Sequence, residues 1–247
     1  MVSPMNEITV VIPTFHSYAL VKTCIKSFER FRPANLHIKF VVVENSNDDS
    51  YKNDVIKLAN DVQWVQNEIS FVGSEANASG LVKGLEFVRT KYVLLVHCDI
   101  CITSTTFFKH IFDMFAQGNV LVGTVLDPSR INAIHVSCLA TLTTIAQSVD
   151  LYPQYINGQQ IMDVGDSLTQ HCRKNDLKHI CFSNTFNNNV LDIIDDSFVK
   201  FHVDRCVVGG EVIMMHLGRG VPKTLGTYEK PNRVLLDEWT LFCEKFI

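Results

Sequence analysis

The chain has 247 residues, 47% of them hydrophobic and 19% charged, with a net charge of −4. That much apolar material supports a sizeable core, and the lack of any block of like charges argues against a surface that tracks nucleic-acid phosphates. No apolar run reaches the roughly 18 residues that a membrane-spanning helix needs, MVSPMNEITVV has no basic segment leading into an apolar one, and the eight cysteines show no framework spacing; these features together predict a cytoplasmic chain with reduced thiols, no signal peptide and no transmembrane segment.

Ile8 to Ile12 is a β-branched run closed by Pro13, which reads as a buried strand ending at a loop. Ser17 is placed to cap a helix whose apolar face is Leu20, Val21, Cys24, Ile25, Phe28 and Phe31, with Pro33 as its stop. HIKFVVVENSNDDS predicts a second strand over Ile38 to Val43 that runs into a polar turn. A helix over Tyr51 to Ala59, a short strand over Val62 to Val65, a helix over Ser74 to Arg89 and a strand over Tyr92 to Val96 follow. Strands that are apolar on both faces, separated by amphipathic helices, predict an α/β fold with a mostly parallel, Rossmann-like sheet and helices on both sides. Ligands bind such sheets beyond the carboxyl ends of the strands, which singles out the loops Pro13 to Ser17, Glu44 to Asp49 and His97 to Cys101.

The second half is less regular. A helix over Thr105 to Ala116 and a strand over Val120 to Val125 precede a mixed segment, Asp127 to Gln160; then come a helix over Asp166 to Lys174, a strand over His179 to Phe182, the loop SNTFNNNVLD and a strand over Glu211 to His216. With no repeat and no low-complexity linker, one domain spanning residues 1–247 is expected.

The stretch VLLVHCDICIT offers two chemistries, a Cys98-x-x-Cys101 thiol pair or a His97-x-Asp99 metal pair. Strand alternation would put His97 and Asp99 on one face and Cys98 on the other. A thiol site for zinc would need two further ligands, and His171, Cys172, His179 and Cys181 supply only a loose possibility. The histidines standing alone, His16, His37, His110, His135 and His202, are read as ordinary surface or core groups.

VVIPTF (10–15), VVVENSNDD (41–49), GLEFVRTKYVLLVHCD (84–99), DVGDSLTQHCRKND (163–176) and HLGRG (216–220) resemble, in that order, the segments of family 2 glycosyltransferases with the GT-A fold. The resemblance implies an inverting enzyme that moves a sugar from a nucleoside diphosphate sugar to a hydroxyl of a glycan, lipid-linked or protein acceptor, assisted by Mn²⁺ or Mg²⁺. Residues 1–102 would be the nucleotide-binding half and 103–247 the acceptor-side half, with acceptor contacts in Asp127 to Gln160 and Ser183 to Asp196. Pro13, Thr14 and Phe15 would line the nucleoside pocket, and Glu44 takes the place of an Asp that contacts base or ribose. His97-Cys98-Asp99 falls on the family's Asp-x-Asp, with Asp99 the metal-binding carboxylate; His216 falls on a late metal or diphosphate ligand, and Arg219 on a diphosphate clamp. Asp163 matches the general base, with Asp166 close enough to compete for the role.

Three departures stand out. His97 replaces the first carboxylate, which favours borderline metals over Mg²⁺. Val82 stands where the family often has Asn, leaving Asn77, Gly80 and Lys83 of the same helix for donor contacts, and Met162 replaces a Glu before Asp163. The alternative of a different class is a nucleotide- or zinc-binding module without transferase activity.

Overall fold

A computed structural model describes residues 7–70, 72–185, 204–218, 220 and 236–247. The first half follows the expected alternation: β1 (Glu7–Thr14), α1 (Tyr18–Phe31), β2 (His37–Glu44), α2 (Lys52–Ile56), β3 (Val62–Gln66), α3 (Gly73–Leu85) and β4 (Tyr92–Val96). Two helices are shorter than their apolar patterns. After α2, Leu58 N donates to Val55 O, and after α3 Phe87 N donates to Gly84 O and Val88 N to Leu85 O, so the final turns tighten to i→i−3 bonds. Ser17 occupies the cap position of α1, but its Oγ donates back to Phe15 O at 2.6 Å and so braces the loop rather than the helix.

The second half contains β5 (Ile100–Ile102), α4 (Phe107–Ala116), β6 (Leu121–Gly123), β7 (Leu126–Asp127), β8 (Ala133–Ile134), β9 (Cys138–Leu142), α5 (Thr143–Ala146), β10 (Gln154–Ile156), β11 (Gln159–Met162), α6 (Asp166–Lys174), β12 (His179–Cys181), β13 (Ser183–Asn184), β14 (Asp204–Val208), β15 (Glu211–His216) and α7 (Leu236–Cys243). The main sheet has the order β12-β6-β9-β4-β1-β2-β3. It is parallel except for β9, which runs antiparallel between β4 and β6. β9 lies inside the segment that reads as irregular. Its buried Thr141 interrupts the apolar run, yet Thr141 Oγ1 is satisfied by Val120 O at 2.8 Å.

Period-two alternation divides the strands between two cores. Ile8, Val10, Ile12, Phe40, Val42, Leu94 and Val96 pack with α1, α4 and α7 on one face; Val11, Val41, Val43, Val93 and Leu95 pack with α3, α5 and α6 on the other. A second, antiparallel sheet, β13-β14-β15-β5, begins three residues after β4 ends. The chain therefore does not continue as a strand through His97, Cys98 and Asp99. These residues form the turn that carries it from one sheet into the other, so strand parity is not what orients their side chains.

All eight cysteines are free, and all but Cys181 are buried. Cys98 and Cys101 both belong to the apolar core on the α1 face. Among the described residues no helix is long and apolar enough to cross a membrane.

Candidate active site

The junction between the two sheets brings three polar side chains together. His97 N donates to Ser137 O at 2.9 Å, extending the β4–β9 pairing by one bond past the strand end and fixing the start of the turn. Asp99 O then accepts from Leu217 N at 3.0 Å, and His216 stands opposite Ile100 in the β15–β5 register. His216 and Asp99 are thus neighbours because of strand pairing, although 117 positions apart in the chain. His216 Nε2 lies 3.3 Å from Asp99 Oδ1 and 3.3 Å from His97 Nδ1, while His97 Nδ1 and Asp99 Oδ1 are 4.0 Å apart. Asp99 Oδ2 accepts from Gly220 N at 2.9 Å.

Among the described residues, His97, Asp99 and His216 form the group suited to a metal ion. The circle through their three facing atoms has a radius of about 2.1 Å, the length of a bond from a first-row divalent ion to an imidazole nitrogen or carboxylate oxygen. The residues present therefore fit a metal. Further out, Asp204 Oδ2 lies 3.1 Å from His216 Nδ1, and Asn77 Nδ2 lies 2.8 Å from His97 Nε2. The His135 ring packs edge-on to His97, with centroids 5.3 Å apart. His135 reads from the sequence as an ordinary histidine and is instead part of this cluster.

The electrostatics follow from burial and from who faces whom. Burial would lower the pKa of His216, but Asp99 and Asp204 on either side outweigh it and push it up to about 10. His97 is driven down to about 3 by burial and by His135 and His216, and His135 to about 4 by burial and His216. Burial works against the Asp99 charge, yet His216, His97 and the Gly220 N–H hold its carboxyl well below the usual carboxylate range. Cys98 goes the other way: burial and the Asp99 charge keep it a thiol, unsuited to binding a metal as thiolate.

A second acidic group gathers around Arg130, a residue with left-handed backbone at φ 54°. Its guanidinium reaches Asp127 Oδ2 at 2.8 Å, Asp166 Oδ2 at 3.3 Å and Asp163 Oδ2 at 3.5 Å. The two candidate bases differ in exposure. Asp166 is 1% exposed and its Oδ2 also accepts from Asp163 N at 2.7 Å, whereas the Asp163 side chain is 19% exposed. Burial and the Asp163 charge raise the Asp166 pKa despite Arg130, while Ser74, the Val164 N–H and Arg130 overcome burial to lower that of Asp163. Asp163 also bears electrostatically on both His97 and His135.

At the ends of β1 and β2, Asn45 N donates to Thr14 O at 2.9 Å and locks the two loops side by side. Phe15, His16, Ser46, Asn47, Glu68, Ile69 and Ser70 line a cavity of about 390 Å³ there, in the size range of small-molecule sites. Pro13 and Thr14 are buried and are not among its lining residues. Glu44 is fully buried, accepting from His16 N at 3.3 Å, Ser46 N at 3.0 Å and the Tyr51 hydroxyl. The structure thus places its carboxylate beneath the loops as their organiser. Gly80 lets α3 approach: a Cβ there would lie 2.8 Å from Pro13 Cβ and 2.9 Å from Asn45 Nδ2. Lys83 pairs with Glu86 at 2.6 Å on the outer side of α3, so of Asn77 and Lys83 only Asn77 is bonded into the metal group. Arg219 lies outside the described residues.

No protein-family model matches the chain, and no curated protein sequence does either. Solved structures do. The mannosyltransferase PcManGT from Pyrobaculum calidifontis, determined in complex with GDP-Man and Mn²⁺, aligns over 70% of this chain and 54% of its own with a TM-score of 0.52 and 14% identity. A mycobacterial protein of known crystal structure aligns over 71% of this chain and 65% of its own, with a TM-score of 0.51 and 15% identity. At such identities the likeness shows the fold alone: an α/β, GT-A-like fold with a mixed, mostly parallel sheet. The aligned part spans about half the length of the mannosyltransferase.

Proposed function

We propose that the chain is a family 2 type glycosyltransferase that transfers a sugar from a nucleoside diphosphate sugar to an acceptor hydroxyl with inversion. The observation that carries this reading is the convergence of His97, Asp99 and His216 at the carboxyl edge of β4, in a fold shared with a transferase solved with a nucleotide sugar and Mn²⁺.

His97, Asp99 and His216 would hold a divalent ion, which would supply positive charge to offset that gathering on the departing diphosphate. The chain's own residues do the rest. Phe15, His16, Ser46 and Asn47 line the cavity that takes the nucleoside, on loops that Glu44 keeps rigid from beneath. Asp163, the more exposed carboxylate, accepts the proton of the acceptor hydroxyl as its oxygen bonds to the anomeric carbon and the bond to the diphosphate breaks on the opposite face. Arg130 keeps Asp163 ionised, and Asp166 holds its backbone in place.

The test is release of nucleoside diphosphate from a panel of donor sugars with Mn²⁺ or Mg²⁺. Asp99→Ala is expected to abolish it and Cys98→Ser to leave it largely intact; loss with the Cys98 change and not with the Asp99 change overturns the reading. Donor binding with no turnover for any acceptor would favour the binding module instead.

A further inference from the structure

Two of the three candidate ligands are histidines, and each is held at its other nitrogen. Asp204 of β14 stands directly opposite His216 of β15 in register, with Oδ2 3.1 Å from Nδ1. The Asp204 carboxylate oxygen accepts, so Nδ1 keeps its hydrogen, and a metal ion would take the place of the proton on Nε2, the nitrogen turned toward Asp99 and His97. The Asn77 atom facing His97 Nε2, at 2.8 Å, is placed as the amide nitrogen Nδ2. The two ends of an amide are told apart only by their partners. A half-turn makes Oδ1 the acceptor of the Nε2 hydrogen and leaves Nδ1 open toward His216 and Asp99; the opposite orientation puts the hydrogen on Nδ1, where it blocks the third ligand position.

We propose that Asp204 and Asn77 are positioning residues of the metal centre, fixing from behind the tautomers of His216 and His97 that present two imidazole nitrogens and the Asp99 carboxylate to one point, and so making the centre prefer a borderline transition-metal ion to Mg²⁺. The inference rests on the metal-assisted reading above. Imidazole nitrogen suits the later first-row ions, whereas Mg²⁺ prefers oxygen ligands. Outer partners that orient a ligating histidine typically contribute about 10- to 100-fold in metal affinity. A carboxylate at position 97 would give back an oxygen-rich site.

The experiment titrates the metal-stripped full chain with Co²⁺ and with Mg²⁺ by calorimetry, following the visible ligand-field bands of bound Co²⁺. The wild type is expected to bind Co²⁺ in preference to Mg²⁺. Asp204→Ala and Asn77→Ala are each expected to weaken Co²⁺ binding about 10- to 100-fold and shift its bands, with Asp204→Asn, which keeps an accepting oxygen, recovering part of the loss. His97→Asp should cut the Co²⁺/Mg²⁺ affinity ratio at least about tenfold. Unchanged Co²⁺ affinity in both alanine variants, or an unchanged ratio in His97→Asp, overturns the proposal. Where Asp204→Ala does not fold, Asn77→Ala and His97→Asp decide by the same criteria. A wild type that binds Co²⁺ as described but gains nothing from an added nucleoside diphosphate leaves this metal centre standing and removes the transferase reading; a wild type that binds no Co²⁺ removes both.

Discussion

Asp163 and Asp166 are three positions apart in the chain, yet the structure gives them different surroundings. Asp163 is partly open, while Asp166 is sealed and bonded to the Asp163 backbone and to Arg130. Asp163→Asn is therefore expected to lower transfer by about 10²- to 10⁴-fold with donor affinity near normal, measured as kcat against donor KM. Asp166→Asn is expected to lower the melting temperature as well, because it weakens the Arg130 contact that holds the loop together. Asp127 gives a pH prediction. Burial raises its pKa, but its bonds to Ser129 and Arg130 outweigh that and keep it below the usual value. A folded pKa below the unfolded one means that Asp127 stabilises the fold above about pH 4, and that this contribution disappears as pH falls through the folded value. Asp127→Asn should thus be less stable than wild type at neutral pH and lose less stability on acidification, as read from denaturant midpoints between neutral and acidic pH.

At the scale of elements, two glycines of α3 carry separable roles. A Cβ at Gly84 would come within 2.4 Å of Val11 Cγ1 and 3.0 Å of Val43 Cγ2, in the packed interface between α3 and the sheet. Gly84→Ala is expected to cost about 1–3 kcal/mol of stability by overpacking. Gly80→Ala presses instead on Pro13 and Asn45, behind the cavity loops, and should weaken nucleotide binding out of proportion to its effect on the melting temperature. Elements such as β1, β4, α6 and β15 were legible in the sequence, because a continuous apolar run or a 3.6-residue period marks each one. The strand β9 was not, since a buried strand carrying a backbone-bonded Thr141 lacks both marks. The same limit applies to the site. Asp99 and His216 carry their chemistry in their residue types, but Asp204 and His135 matter only through pairing. Asp204 is brought to His216 by the β14–β15 register, and His135 to His97 by the β4–β9 pairing extended through Ser137. Arg130 likewise acts through a left-handed turn that no local pattern announces.

At the scale of the molecule, the main sheet delivers the loops after β1, β2 and β4 to one edge, and the second sheet brings β15 back against the turn that follows β4. In the proposed function, the cavity beside Phe15 and His16 would take the nucleoside and the cluster of His97, Asp99 and His216 the charge of a nucleoside diphosphate. A ligand that binds the native state alone raises its melting temperature by mass action. The most direct measurement is therefore a thermal-shift titration of the wild type and Asp99→Ala with nucleoside diphosphates, each with and without a divalent transition-metal ion. The account predicts a rise in the wild type that needs nucleotide and metal together and is lost in Asp99→Ala; an equal rise in Asp99→Ala, or none with any nucleotide and metal, would contradict it.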